Sequence, residues 1–92
     1  MPEVYMQIEW PGNKKDVVYS PSSIIYEHFK KGEAFSVDMF EKKVTEALTQ
    51  ASQRVLAKFG YECTSAMGEI MRIQSIVNSL KDKSQEVKIT QL

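Results

Sequence analysis

SVDMFEKKVTEALTQASQRVLAKF, residues 36–59, decides the fold. Val37, Phe40, Val44, Leu48, Ala51, Val55 and Phe59 recur at intervals of three or four, which places them on one stripe of an α-helix. Lys42, Lys43, Glu46, Gln50, Gln53 and Arg54 face away from that stripe. Ser36 is a natural N-cap, with Asp38 set against the positive end of the helix dipole. Phe35 and Phe40 are spaced as a hydrophobic staple. Lys58 and Gly60 mark the end, glycine being the residue that most readily takes the left-handed conformation there. At ~1.5 Å per residue such a helix is about 35 Å long, and it holds its shape only by packing its apolar stripe on something else.

The chain before it supplies a sheet. Val4, Met6, Ile8 and Trp10 alternate with Tyr5, Gln7 and Glu9, the period of a strand with one buried face. Pro11-Gly12-Asn13 signals a turn, and Val17, Val18 and Tyr19 resume β-favouring character. Residues 3–19 therefore read as a β-hairpin with its loop over Pro11–Lys15. Ser20 and Pro21 suit the N-cap and first position of a short helix running to about Phe29, with Ile24, Ile25, His28 and Phe29 on one face. Lys30-Lys31-Gly32 ends it, and Glu33 to Phe35 lead into the long helix.

After Gly60 a tight connection reaches Thr64 or Ser65, either of which can cap a third helix extending to about Leu80. Its residues Ala66, Ile70, Ile73, Val77 and Leu80 form a heptad-like seam suited to antiparallel packing on the long helix. Met67 and Met71 lie to one side of the seam and Ile76 to the other, an apolar arc wider than one partner helix needs. Lys81 to Glu86 form a charged linker, and Val87 to Leu92 alternate weakly, either adding a strand at the sheet edge or trailing as a tail. The expected fold is α+β: an N-terminal hairpin, a short helix, then a long antiparallel helical hairpin packed on the sheet. Residues 1–81 are expected to form one compact unit, with 82–92 as linker and C-terminal segment.

At 92 residues the chain is long enough for one modest core. Twelve basic and twelve acidic residues cancel, which argues against a general nucleic-acid binder and removes one deterrent to self-association. Neither a signal-peptide pattern nor an apolar run of membrane-spanning length is present, so a cytoplasmic protein that does not engage a membrane is expected. Cys63 is the only cysteine; no internal disulfide can form, which fits a reducing compartment.

No catalytic constellation stands out. His28 is the only histidine and has no nucleophile spaced to use it as a base. Cys63, just before a helix start, is a candidate for a lowered thiol pKa, although no second cysteine exists to resolve an oxidised form. Together these two make too few ligands for a structural zinc, and no metal or cofactor is expected. Ser20, Ser22, His28 and Cys63 are the candidate lining of a small-molecule pocket between the short helix and the helical turn.

Trp10-Pro11, Tyr19-Ser20-Pro21-Ser22, Gly32, Phe35 and Phe40 form one set of markers. Ala47-Leu48, the block Ala51-Ser52-x-Arg54-Val55 ending in Lys58-Phe59-Gly60, then Cys63, Ala66 and Ile73 form another. In combination they resemble a family of small nitrogen-starvation-response proteins named after a mycobacterial locus. The blocks span roughly Pro2 to Leu80; Gly12-Asn13 stands where the family's turn would be Asp-Gly, and the segment after Leu80 carries no motif. The resemblance implies a setting in bacterial gene clusters built around a nitrilase, beside a radical-SAM protein, an acetyltransferase and a flavoprotein, and it carries no catalytic residues. The expected role is that of a non-catalytic accessory protein that assembles with itself and with products of such a cluster, through Met67, Met71 and Ile76; the alternative is a small-molecule-binding module or a minor subunit of a nitrogen-assimilation enzyme complex.

Overall fold

The computed structural model describes residues 3–61 and 64–92. Strands β1 (Val4–Trp10) and β2 (Lys14–Ser20) form the hairpin. A short 3-10 helix (Ser23–Glu27), strand β3 (Ala34–Ser36) and helix α1 (Val37–Phe59) follow. Helix α2 (Thr64–Ser79) and strand β4 (Glu86–Gln91) complete the chain. The strands make one antiparallel sheet in the order β2-β1-β4-β3, with the helices packed on one face. The fold is thus α+β, as expected.

The hairpin is tighter than the sequence suggests. Trp10 pairs with Lys14, so the loop is only Pro11–Asn13. Gly12 and Asn13 both take positive φ (85° and 62°), a conformation that glycine adopts freely and asparagine tolerates. Gly12-Asn13 therefore serves as the turn here. Val4, Met6, Ile8 and Trp10 are all buried, as the alternation requires.

Two departures share a cause, the backbone pairing of β3 with β4. Three residues, Ala34 to Ser36, are too few to show a period, yet they pair with Glu86–Lys88 as β3. The C-terminal strand is present but lies inside the sheet, between β1 and β3, where the sequence pattern allowed an edge strand or a tail. It is held there by backbone bonds from Gly32 N to Ile89 O (2.8 Å), Ile89 N to Glu33 O (2.8 Å) and Val37 N to Gln85 O (2.9 Å). Val87 and Ile89 sit in the core. The register slips between Gln7 and Ile8, leaving Thr90 as an extra residue. This bulge shifts the alternation by one, so that Leu92 packs against the core.

The expected short α-helix is a 3-10 turn, and its cap is Ser22, not Ser20. Ser20 instead ends β2, and its hydroxyl donates to Ser22 O at 2.7 Å.

Helix α1 begins and ends as read. Ser36 Oγ accepts from Met39 N at 3.2 Å, and Gly60 takes φ 78° at the C-cap. Phe40 meets Trp10 edge to face at 5.4 Å and Phe29 at 5.8 Å, and Phe29 in turn meets Phe35 at 5.7 Å, so the two staple rings are joined through Phe29. One expected core residue is not there: Phe59 is 47% exposed. The 23-residue helix runs about 35 Å at ~1.5 Å per residue. The seven-residue strands beneath it span only about 23 Å at ~3.3 Å per residue. The last turn, in which Leu56 to Phe59 are all exposed, is the overhanging part of the helix, past what packs on it. Along α2 the seam holds, with Ala66, Ile70, Ile73 and Val77 buried. Thr64 is already helical, and the connection before it, Glu62 and Cys63, lies outside the described residues.

Candidate functional site

Asp16 pairs opposite Ile8, on the same phase of β2 as the buried Val18 and Ser20, so the pleat turns a carboxylate toward the helices. It meets two donors there: Trp10 Nε1 and Arg72 Nη1, each 2.9 Å from Oδ2. Its other oxygen accepts from Val17 N at 2.7 Å. Arg72 is further fixed by Glu69, one turn earlier on α2, through Nε–Oε1 (2.8 Å) and Nη2–Oε2 (3.0 Å). Glu69 Oε2 also accepts from Tyr19 N at 2.8 Å, and Arg72 Nη2 donates to Val17 O at 2.9 Å.

Burial pushes the Asp16 carboxyl up, but hydrogen bonds from Trp10, Arg72 and the Val17 amide, with the Arg72 charge, outweigh it and hold the group below its ordinary value. The Glu69 hydrogen bond is the chief cause holding the guanidinium more firmly protonated than usual; burial opposes it, and Asp16 adds to it. With both carboxylates bound to the guanidinium, the cluster fastens α2 to β2 and offers no free base for catalysis.

An open groove of about 350 Å³ lies beside this clasp, lined by Trp10, Pro11, Lys14, Arg72, Ile76 and Leu80 among others. Two further grooves, of about 450 and 380 Å³, flank the same hairpin along Gln7, Glu9 and Lys15 and along Gly12, Asn13 and Gln85. None of the three is lined by Ser20, Ser22 or His28.

Ser20 and Ser22 are brought together, but their hydroxyls serve the turn: Ser22 N donates to Ser20 Oγ at 3.3 Å, and Ile24 N donates to Ser22 Oγ at 3.2 Å. His28 Nε2 lies 2.8 Å from Gln50 Oε1 on α1, a contact between two half-buried side chains. Cys63 lies outside the described residues. Among the described residues no group of three or more His, Cys, Asp or Glu side chains is placed to hold a metal ion, and no helix is long and apolar enough to cross a membrane.

The apolar arc of α2 divides. Ile76 is half-buried against the core and lines the groove. Met67 and Met71 stand out in solvent, 50% and 67% exposed. Leu56, Phe59 and Tyr61 are also exposed at this end of the helical hairpin, with the Phe59 and Tyr61 rings 6.0 Å apart and Lys58 Nζ 5.6 Å from the Phe59 ring.

A family model described as nitrogen starvation-induced protein NitG matches residues 5–92. The chain belongs to the NitG family. No curated protein and no solved structure matches it. The match reaches past Leu80 and so takes in β4, the strand that carries no motif of its own.

Most residues that marked the resemblance to this NitG chain's relatives are used in folding. Trp10 and Phe40 are core, Ser20 and Ser22 close a turn, Ala47, Ala51 and Ala66 are buried along the two helices, and Gly32 and Gly60 take positive φ. Arg54 makes a surface pair with Glu27 at 3.7 Å. Phe59 is the exception, an aromatic ring in the motif that the fold leaves in solvent.

The clasp residues Asp16, Glu69 and Arg72 escape a reading by periodicity, since charges on an amphipathic helix default to solvent. A signal does exist. Asp16 shares a strand phase with Val18, and a carboxylate on an inward phase requires a partner.

Proposed function

We propose that this NitG-family chain is a small, non-catalytic accessory protein of the nitrogen-starvation response. It acts in the cytoplasm by contact with itself and with proteins encoded beside a nitrilase. The contact face is the solvent side of α2 at Met67 and Met71, together with Phe59 in the last turn of α1. The observation that supports this reading is the exposure of these three side chains, 50%, 67% and 47%, on a chain whose other motif aromatics are buried, as Trp10 and Phe40 are, or half-buried, as Tyr19 and Phe35 are. Exposed apolar side chains on one helical hairpin are a mark of a protein contact. Methionine, flexible and polarizable, suits such a surface. The net charge of zero adds no long-range repulsion between copies.

Native mass spectrometry of the chain isolated from nitrogen-starved source cells tests this. The expected result is a homo-oligomer or a complex with a nitrilase-cluster product, reduced to the lone chain in M67K/M71K while circular dichroism is unchanged. Assembly that is the same in M67K/M71K overturns the contact face. A small added mass that S22A or H28A removes overturns the accessory role in favour of ligand binding.

A further inference from the structure

The sheet order leaves β2 with a neighbour on one side only. On its open side, a strand normally shows a row of unpaired amides and carbonyls, ready to pair with another chain. Here that row is met by side chains of α2. Tyr19 N donates to Glu69 Oε2 at 2.8 Å, and Val17 O accepts from Arg72 Nη2 at 2.9 Å. An antiparallel strand laid against β2 would make the same two bonds, a carbonyl accepting from Tyr19 and an amide donating to Val17. Glu69 and Arg72 are joined by two parallel bonds of their own, so acceptor and donor are held at fixed spacing. Val17 N, the adjacent donor, is met by Asp16 Oδ1 at 2.7 Å. The opposite edge of the sheet is β3, only three residues long, and needs no such cover.

We propose that Glu69 and Arg72 form a latch that stands in for a fifth strand on the β2 edge, and that releasing it opens this edge to antiparallel pairing with β2 of a second copy. The strand's own sequence favours that occupant. With a two-fold axis at Val17, Val17 faces its counterpart, Lys15 faces Tyr19, Asp16 faces Val18 and Lys14 faces Ser20. No like charges meet, and β-branched and aromatic residues are the ones that pair well across strands. A strand so suited to pairing with itself needs a cover if the chain is not to associate there. Glu69 and Arg72 lie on the same two turns of α2 as Met67 and Met71 but on another side of the helix, so the latch does not require the contact face proposed above.

Sedimentation of E69A/R72A across a concentration series tests the latch. The expected result is one association step beyond the unaltered chain, with mass doubling as concentration rises. The same variant carrying V17P should lose that step, because proline is tolerated at an edge position whose N–H faces outward but removes the donor that pairing needs. Hydrogen exchange gives an independent reading: the Tyr19 amide should exchange about tenfold faster in dilute E69A/R72A and regain protection where the mass doubles. If E69A/R72A loses its fold, R72Q, which keeps much of the stem but lacks the fork, is read for the same gain. A folded variant whose mass stays that of the unaltered chain, or a gained association that survives V17P, overturns the proposal.

Discussion

The two ends of α1 carry the same amphipathic pattern and meet different surroundings. At the first end Val37, Phe40 and Val44 are fully buried, the first amide is bound to Gln85 O, and Phe40 lies against Trp10 and Phe29. At the last end Leu56 and Phe59 are exposed, and Gly60 closes the helix beyond the sheet's reach. The difference comes from length: periodicity sets which side of a helix is apolar, and the extent of the neighbouring elements sets how much of that side is covered. An apolar residue past that limit is free for other work.

The largest effects should separate the ends. F40A should destabilise by about 3–5 kcal/mol, from lost burial and the cavity left among the aromatic rings. F59A should cost under about 0.5 kcal/mol, as an exposed site does. Denaturant melts of the two variants give the comparison directly. A loss of about 2 kcal/mol or more in F59A would mean that the overhanging turn is packed after all.

Next in size is the clasp, which ties the middle of α2 to the hairpin. D16N should cost about 1.5 kcal/mol at neutral pH, since it removes the charge from hydrogen bonds to Arg72 and Trp10. The pH dependence has a definite sign. The folded chain holds Asp16 below its ordinary value, so as pH falls the unfolded chain takes up this proton first. The contribution is complete above about pH 4 and is lost as pH drops through the folded-state value. Stability measured from pH 6 down to pH 2 should fall less steeply in D16N than in the unaltered chain. Equal slopes would place the acid sensitivity elsewhere.

The caps make a finer comparison. S36A should cost about 1 kcal/mol, because the Met39 amide loses its acceptor at an end where the helix is fastened. G60A forces a left-handed alanine, a strain of about 1–2 kcal/mol. Only the exposed last turn depends on that residue, and it can fray to relieve the strain. Global stability should therefore fall less in G60A than in S36A, with faster exchange confined to the amides just before Gly60.

How far the sequence could be read follows the same division between local and distant causes. The stripe of α1 up to Val55 with both caps, the alternation of β1 and the seam of α2 are local patterns, and each is realised. β3 and the inner position of β4 depend on pairing between segments some fifty residues apart, Ala34–Ser36 with Glu86–Lys88. Three residues carry no period from which to see it. The candidate site divides in the same way: solvent exposure of Met67 and Met71 follows from their place beside the seam, whereas Ile76 is drawn half under by the hairpin, and the serines near Pro21 are used up by a turn. Asp16, Glu69 and Arg72 come together across more than fifty residues of sequence, and only the inward phase of Asp16 announces it.

The smallest expected stability change is also the most informative about function. M67K/M71K replaces two exposed side chains with other long, flexible ones of similar helix propensity, so its denaturation midpoint should stay within about 0.5 kcal/mol of the unaltered chain. If these methionines serve only as incidental surface, nothing else changes either. If they are the contact face, two new charges must be desolvated in the assembled state alone, at several kcal/mol each unless paired, and assembly is lost while the lone chain is untouched. The pairing of an unchanged melt with a lost complex is therefore specific to the exposed methionines of α2. The corresponding pair of substitutions at the covered end, Val44 and Leu48 to Lys, would destroy fold and assembly together and could not tell one from the other.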